Sequence, residues 1–532
     1  MSSGETFLHL TDYVTDRLNP ILVKETRQAL KSRQFIITFM LLLTVAWLIS
    51  VFGVVLNGPA IEFGAAGRMF FAWYVGVLGF ATLFVVPFGA FRSMLNERDY
   101  NTYELLSIST LSPRQIVTGK LLSALAQVLI YYSAIAPFIA FTSLLQGFDL
   151  PLVVLILSLG LLWSLFVSTV AIMLSTLANS RQWQALTTIG MIALLLWQMV
   201  TAFAFGGIAI SESIPFDNDE FWWGLGSMLV GMGGYLLLAQ QIAVSRLTFE
   251  SGNRSSGIRI ISTVQFWLTW VGILAYGGWY GFSNIEGDAV FAFAISASIH
   301  WVIAGLIFST ESEHISRRVR RGIPQSQFLR LLYAPWLPGG RRGLLLLTLH
   351  LAALIVIGRW SSWPQWIGNH VMPLPVWESW VGDATTALAL YVFIYVGFGS
   401  AVGRLGQAIT PEFRPAHSRV LTILLVPLTI VAPYVPGMFS YRYQVRSGSY
   451  YWVTNPFSTL GRISSSNRGW SGSSPEEAQV YLFILGIAAA IVLLVNLRAL
   501  IAGVSDVLDW PSAANSESAA SDTEGTNAVV PG

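Results

Sequence analysis

Residues 69–91 read MFFAWYVGVLGFATLFVVPFGAF, and they decide the fold. No charged side chain interrupts the run, and it is long enough for a helix to cross a hydrocarbon core of about 30 Å. The whole chain is built the same way. Of its 532 residues, 54% are hydrophobic and 11% charged, whereas soluble domains carry about 25% charge. The chain contains no cysteine, so disulfides, thiolate metal sites and cysteine nucleophiles are excluded.

Similar runs extend outward from this one. Phe35–Leu56 precedes it. Leu121–Gln146, Pro151–Leu177, Ala185–Ile208 and Trp222–Ser245 follow, then Ile260–Phe282, Ala289–Ser309, Gly343–Ile357, Thr385–Gly403, Val420–Phe439 and Gln479–Gly503. Each approaches the length of about 20 residues that a spanning helix needs. Backbone groups in lipid must be bonded within their own segment, and no barrel-like alternation appears. The expected fold is therefore all-α, a polytopic membrane helix bundle of about twelve spans.

Basic residues orient the bundle. With the N-terminus in the cytoplasm, Arg68, Arg359, Arg442, Arg446, Arg462 and Arg468 fall outside, and the other 24 of the 30 Lys and Arg fall inside. That bias predicts cytoplasmic termini. It also predicts five regions: a leader over 1–34, six spans over 35–245, a Gly/Ser-bearing linker over 246–259, a second set of about six spans over 260–503, and a disordered tail over 504–532. The leader is too long and polar for the start of a secretory signal.

The runs themselves contain no Asp or Glu, which argues against an ion-coupled carrier built on an intramembrane acid. His300 and His350 are the titratable alternatives at depth. Gln127, Gln198 and Gln265 either line a pathway or bridge helices. The aromatic segments 359–384 and 440–478 read as interfacial belts or as sugar-stacking surfaces. No Walker, H-E-x-x-H or G-x-S-x-G pattern occurs, so any ATP used is bound by another polypeptide.

Two polar segments carry more information. In NPILVKETRQALKSRQF (19–35), Asn19 is a helix cap and Pro20 a first helical residue. Lys24, Glu25, Arg27 and Lys31 then face away from Ile21, Leu22, Ala29 and Leu30, which gives an amphipathic helix before the first span. In NERDYNTYELLSISTLSPRQIVTGK (96–120), Asp99 or Asn101 caps a first short helix and Ser112-Pro113 starts a second. The hairpin over 92–120 exposes a mixed apolar and charged surface. It suits docking to a soluble partner or packing against its own bundle.

Both segments resemble those of ABC-2 type transporter permeases. The loop matches through Glu97, Arg98, Thr102, Glu104, Leu106, Leu111, Ser112, Ile116, Gly119 and Lys120, with Asn101 and Thr110 departing from the usual Gly and Pro. The leader matches through Asn19, Pro20, Ile21, Lys24, Glu25, Arg27, Gln28, Ser32 and Arg33. The resemblance covers about residues 15–250 and implies an elbow helix and a coupling hairpin, Leu105 included, that contact a separate ATPase. It implies no catalytic residue and no cofactor on this chain; ATP and Mg belong to the partner. Expected partners are that ATPase, a second permease copy or a different permease, and the lipid of a bacterial inner (plasma) membrane, with no nucleic acid. The rival readings are a carrier using His300 or His350, and a membrane scaffold whose hairpin recruits a partner.

Overall fold

A computed structural model describes residues 19–58, 66–99, 111–145, 147, 149–178, 180–212, 214–249, 251–280, 287–324, 326–359, 379–410, 412–435, 450–466 and 475–508. The expected residues Thr102, Glu104, Leu105 and Leu106, the Arg98 side chain, the tail beyond 508 and most of the two aromatic outer segments lie outside these. Among the described residues there is no strand, and 12 helices are long and apolar enough to span a membrane. The protein is a multi-pass membrane helix bundle.

The first compact unit ends at Thr248 and the second begins at Phe249. In the first unit α1 is Pro20–Lys31, α2 Arg33–Asn57, α3 Ala66–Gly79, α4 Val86–Asp99, α5 Pro113–Thr142, α6 Leu150–Leu177, α7 Arg181–Ser211 and α8 Asp219–Leu247. Helices α3 and α4 form one span joined by the π-helical turn Phe80–Val85. Packing is inverted relative to a soluble protein. Trp197, Val200 and Phe205 of α7 are largely exposed, while Ser164 and Ser168 of α6 are buried. Large apolar side chains outside and small polar ones inside suit a lipid solvent.

Caps set the helix boundaries. Asn19 Oδ1 accepts from the Ile21 amide at 3.0 Å, and Pro20 lacks the donor that would otherwise go unpaired. Ser32 closes α1 and opens α2. Its hydroxyl donates to the Ala29 carbonyl at 2.7 Å and accepts from the Phe35 amide at 3.1 Å. The elbow therefore turns on one extended residue. Ser112 and Gln115 form a reciprocal capping box at the start of α5.

In the second unit α9 is Ser256–Tyr280, α10 Gly287–Ser309, α11 Arg317–Arg321, α12 Gln327–Tyr333, α13 Gly340–Arg359, α14 Ser379–Ile409, α15 Pro415–Val431, α16 Pro456–Ser466 and α17 Pro475–Leu508. Helix α9 thus starts within the expected linker, and α17 runs through residues 504–508 of the expected tail. Helix α14 is the centre, packed by α10, α13, α15, α16 and α17. Small residues make this close packing possible. Gly305 of α10 lies against Leu347 of α13, and Gly397 of α14 against Val492 of α17. Helices outrun the apolar runs, so α14 brings Asp383 inside its first turns, where Arg359 Nη2 donates to it at 2.8 Å.

The tightest approach to a neighbouring backbone is at Gly343, where an added methyl group would overlap the carbonyl of Phe308. Backbone cannot swing aside as a side chain can. Gly343→Ala is expected to lower stability by roughly 1–3 kcal/mol, read as a lower unfolding temperature of the detergent-solubilised protein.

Candidate functional site: the elbow cluster

Three helix ends converge in the first unit: α1, the end of α4 and the start of α5. Asn19 ties the first turns of α1 and α5 together, because its Nδ2 donates to the Gln115 carbonyl of α5 at 2.6 Å. One turn on, Ile21 is buried against Gly119. A methyl group at Gly119 would stand 2.9 Å from the Ile21 side chain and 3.0 Å from Asn19 Nδ2. Glycine here lets the elbow lie directly on α5.

That approach places charged side chains from all three helices together. Lys120 Nζ lies 3.0 Å from Glu25 Oε1 of α1 and 3.1 Å from Glu97 Oε1 of α4. It also donates to Ser93 Oγ at 2.8 Å, and that hydroxyl donates to Glu25 Oε2 at 2.8 Å. Lys24 adds a looser pair to Glu97 at 3.7 Å. Ser93 and Glu97 are four residues apart and so share one helix face. Lys120 is 3% exposed, so this is a buried ammonium ringed by two carboxylates and a hydroxyl. Burial alone would push the Glu25 carboxyl up. The Lys120 charge, the hydrogen bonds from Lys120 and Ser93, and Lys24 outweigh it and hold Glu25 below its ordinary value of 4.5.

A cavity of about 550 Å³ opens beside the cluster, with Arg92, Gln127 and Tyr131 among its lining. Arg27 and Arg33 are exposed on the elbow. Leu111 and Ile116 pack onto the bundle itself. The structure therefore gathers Asn19, Glu25, Glu97 and Lys120, with Lys24 at the margin. Sequence reasoning missed Ser93, for which only its helical spacing from Glu97 was a signal.

The other polar residues fall elsewhere. Gln198 is a bridge: its Nε2 donates to the Leu83 carbonyl at 2.8 Å and its Oε1 accepts from Trp163 Nε1 at 2.9 Å. Ser164 donates to the Thr82 carbonyl at 2.6 Å. The π turn loosens the regular backbone ladder, and these two side chains satisfy carbonyls within it. Gln127 donates to the Ser123 carbonyl of its own helix at 3.3 Å. In the second unit the Gln265 Oε1 is buried with no hydrogen-bond partner among the described residues. His300 stands edge-on to Trp301, with ring centres 5.5 Å apart. His350 bonds the Leu346 carbonyl of its own helix at 2.8 Å and packs between Trp301 and Phe266. Trp380 and Trp452, from the outer aromatic segments, are buried core residues. Trp380 meets Phe291 edge-on, and Trp452 meets Tyr434.

A second buried charge centre belongs to the second unit. Arg259 is 0% exposed. Its Nε donates to Ser255 Oγ at 2.9 Å, Nη1 to the carbonyls of Pro335 and Leu337, and Nη2 to Glu311 and to the Gly339 carbonyl. Glu311 also accepts from the Ser255 hydroxyl at 2.9 Å and the Gly339 amide at 3.3 Å. The guanidinium thus holds the segment between α10 and α13 onto α9. Gly339 sits at φ +123°, a conformation that favours glycine.

Among the described residues no group of three or more His, Asp or Glu is placed to hold a metal ion. No family model, curated protein or solved structure matches the chain.

Proposed function

We propose that this chain is the membrane subunit of an ABC-2 type exporter, driven by a separate cytoplasmic ATPase that binds ATP and Mg. One observation carries the reading: Lys120 joins the elbow helix to both legs of the 92–120 hairpin through Glu25, Ser93 and Glu97. A push on the hairpin is then delivered to α1, α4 and α5 together. Ser32 passes it to α2 through a single-residue turn. The cluster holds no reacting group; its role is mechanical. The sequence resemblance of the leader and loop supports the same assignment. A carrier worked by His350 is disfavoured by its packing between two aromatic rings and its bond to its own helix. The substrate pathway in this reading lies between the spans, and export across a plasma membrane is the direction proposed.

The test is co-purification in mild detergent after cross-linking in the membrane. A soluble subunit with a Walker motif is expected in near-equal amount. Its absence would overturn the reading in favour of a scaffold or carrier. Replacing Glu104 and Leu105 together by alanine is expected to weaken the association about tenfold or more, as for loss of an interface anchor, with membrane insertion unchanged. Association equal to wild type would remove the hairpin from the coupling role.

A further inference from the structure

The segment joining α10 to α13 contains a helix built inside out. In α12, Gln327–Tyr333 (QFLRLLY), Phe328, Leu329, Leu331 and Leu332 are all exposed, Phe328 at 71%. Arg330, on the opposite face, is buried and donates through Nε to the Pro324 carbonyl at 2.8 Å. A helix of about 100° per residue places those four apolar positions on one side and the arginine on the other. In water this orientation is the wrong one.

Beside it stands α11, whose Arg317, Arg318, Arg320 and Arg321 are exposed. Ser316 fixes this turn. It caps the Val319 amide at 3.3 Å and donates to the Ser251 carbonyl at 2.6 Å. The pair of short helices is anchored from beneath. Ala334, Leu337 and Val507 form a small core with Ile323 and Tyr333 packed against it, and Arg259 clamps the carbonyls that follow α12. The segment cannot roll over to hide its leucines without breaking these contacts. It also connects two successive spans, so it lies where the bundle leaves the hydrocarbon.

We infer that α11 and α12 form a surface for an anionic membrane leaflet: the α12 face enters the acyl boundary and the four α11 arginines meet lipid phosphates. The charge decides the occupant. An apolar face alone would suit a second protein, but four adjacent exposed cations next to it match an anionic headgroup layer. The inference is independent of the exporter reading, because it concerns a different unit and no ATPase.

The absence of cysteine provides a clean test. The full chain carrying Leu331→Cys, labelled with a nitroxide, is reconstituted in phosphatidylcholine vesicles with and without phosphatidylglycerol. In the anionic vesicles the label is expected to be reached by oxygen and shielded from a water-soluble nickel complex. Changing Arg317, Arg318, Arg320 and Arg321 to glutamine is expected to shift it toward the nickel complex. Native mass spectrometry of the same variant should show phosphatidylglycerol retention falling roughly fivefold per arginine lost. Retention equal to wild type would overturn the assignment of the arginines. A label reached mainly by nickel in wild type would overturn membrane contact. A label shielded from both reagents would overturn it in favour of a protein partner on this face.

Discussion

Replacing Lys120 by methionine is expected to lower the stability of the first unit by about 3 kcal/mol. That is the low end for breaking a buried ion pair, because the adjoining cavity admits water. Methionine keeps most of the volume, so the loss is electrostatic. Glu25 and Glu97 would face each other without the buried ammonium between them, while the more exposed Lys24 keeps its looser pair with Glu97. Adding Glu25→Gln and Glu97→Gln to the variant should recover most of the loss, since neutral groups do not repel. Thermal unfolding in detergent, followed by tryptophan emission, reads both effects.

The pH dependence separates this from a packing defect. In the wild type Glu25 is held below its ordinary value of 4.5. Its contribution is present above pH 4.5 and is lost as the pH falls through the depressed folded value. Without Lys120 the burial that opposes ionisation dominates, and the folded value moves above the ordinary one. The variant should then gain more stability than the wild type as the pH is lowered toward 4.5, because its Glu25 takes up a proton on folding where the wild-type Glu25 does not. Parallel pH profiles for the two proteins would remove Lys120 from the centre of the cluster. In the exporter reading the same variant still binds its ATPase but uncouples hydrolysis from movement of the spans.

Much of this architecture is legible in the sequence, and the reason is physical. Spans announce themselves through sustained apolarity, and the starts of α1 and α5 through Asn19-Pro20 and Ser112-Pro113, because caps are local chemistry. The elbow cluster was half legible. Glu25, Glu97 and Lys120 were visible as separate motif positions, but nothing local says that three helix ends meet. That meeting depends on Gly119, whose missing side chain admits Ile21. The π turn at Phe80–Val85 had no sequence signal of its own, since the donors that steady it, Ser164 and Gln198, sit on α6 and α7. By sequence position Arg259 is one more cation, at the end of the 246–259 linker. Its burial is decided by the carbonyls of Pro335, Leu337 and Gly339 and by the carboxylate of Glu311, all far along the chain.

Arg259→Met is expected to have the larger effect of the two, about 4 kcal/mol on the second unit, because the guanidinium is wholly buried. The substitution fills the volume but removes every donor. Glu311 loses its ion pair and keeps only the Ser255 hydroxyl and the long bond from the Gly339 amide. Three backbone carbonyls lose their guanidinium partner in an environment with little water to replace it. Arg259→Lys retains the charge and the pair with Glu311, yet one ammonium cannot reproduce the fork that spans Leu337 and Gly339, so it should recover only part of the loss. The damage should be local. Hydrogen exchange is expected to rise across 310–339, while α13 and α14, held by their own packing, stay protected. Since that segment carries α11 and α12, the nitroxide at position 331 should also become mobile and accessible to the nickel complex in the Arg259→Met protein, even with all four α11 arginines intact. Unchanged exchange across 310–339 would mean that the small core of Ala334, Leu337 and Val507 holds the segment unaided. Loss of protection throughout α13 and α14 would instead make Arg259 a determinant of the whole unit, through Glu311 and the start of α13 that lies against it.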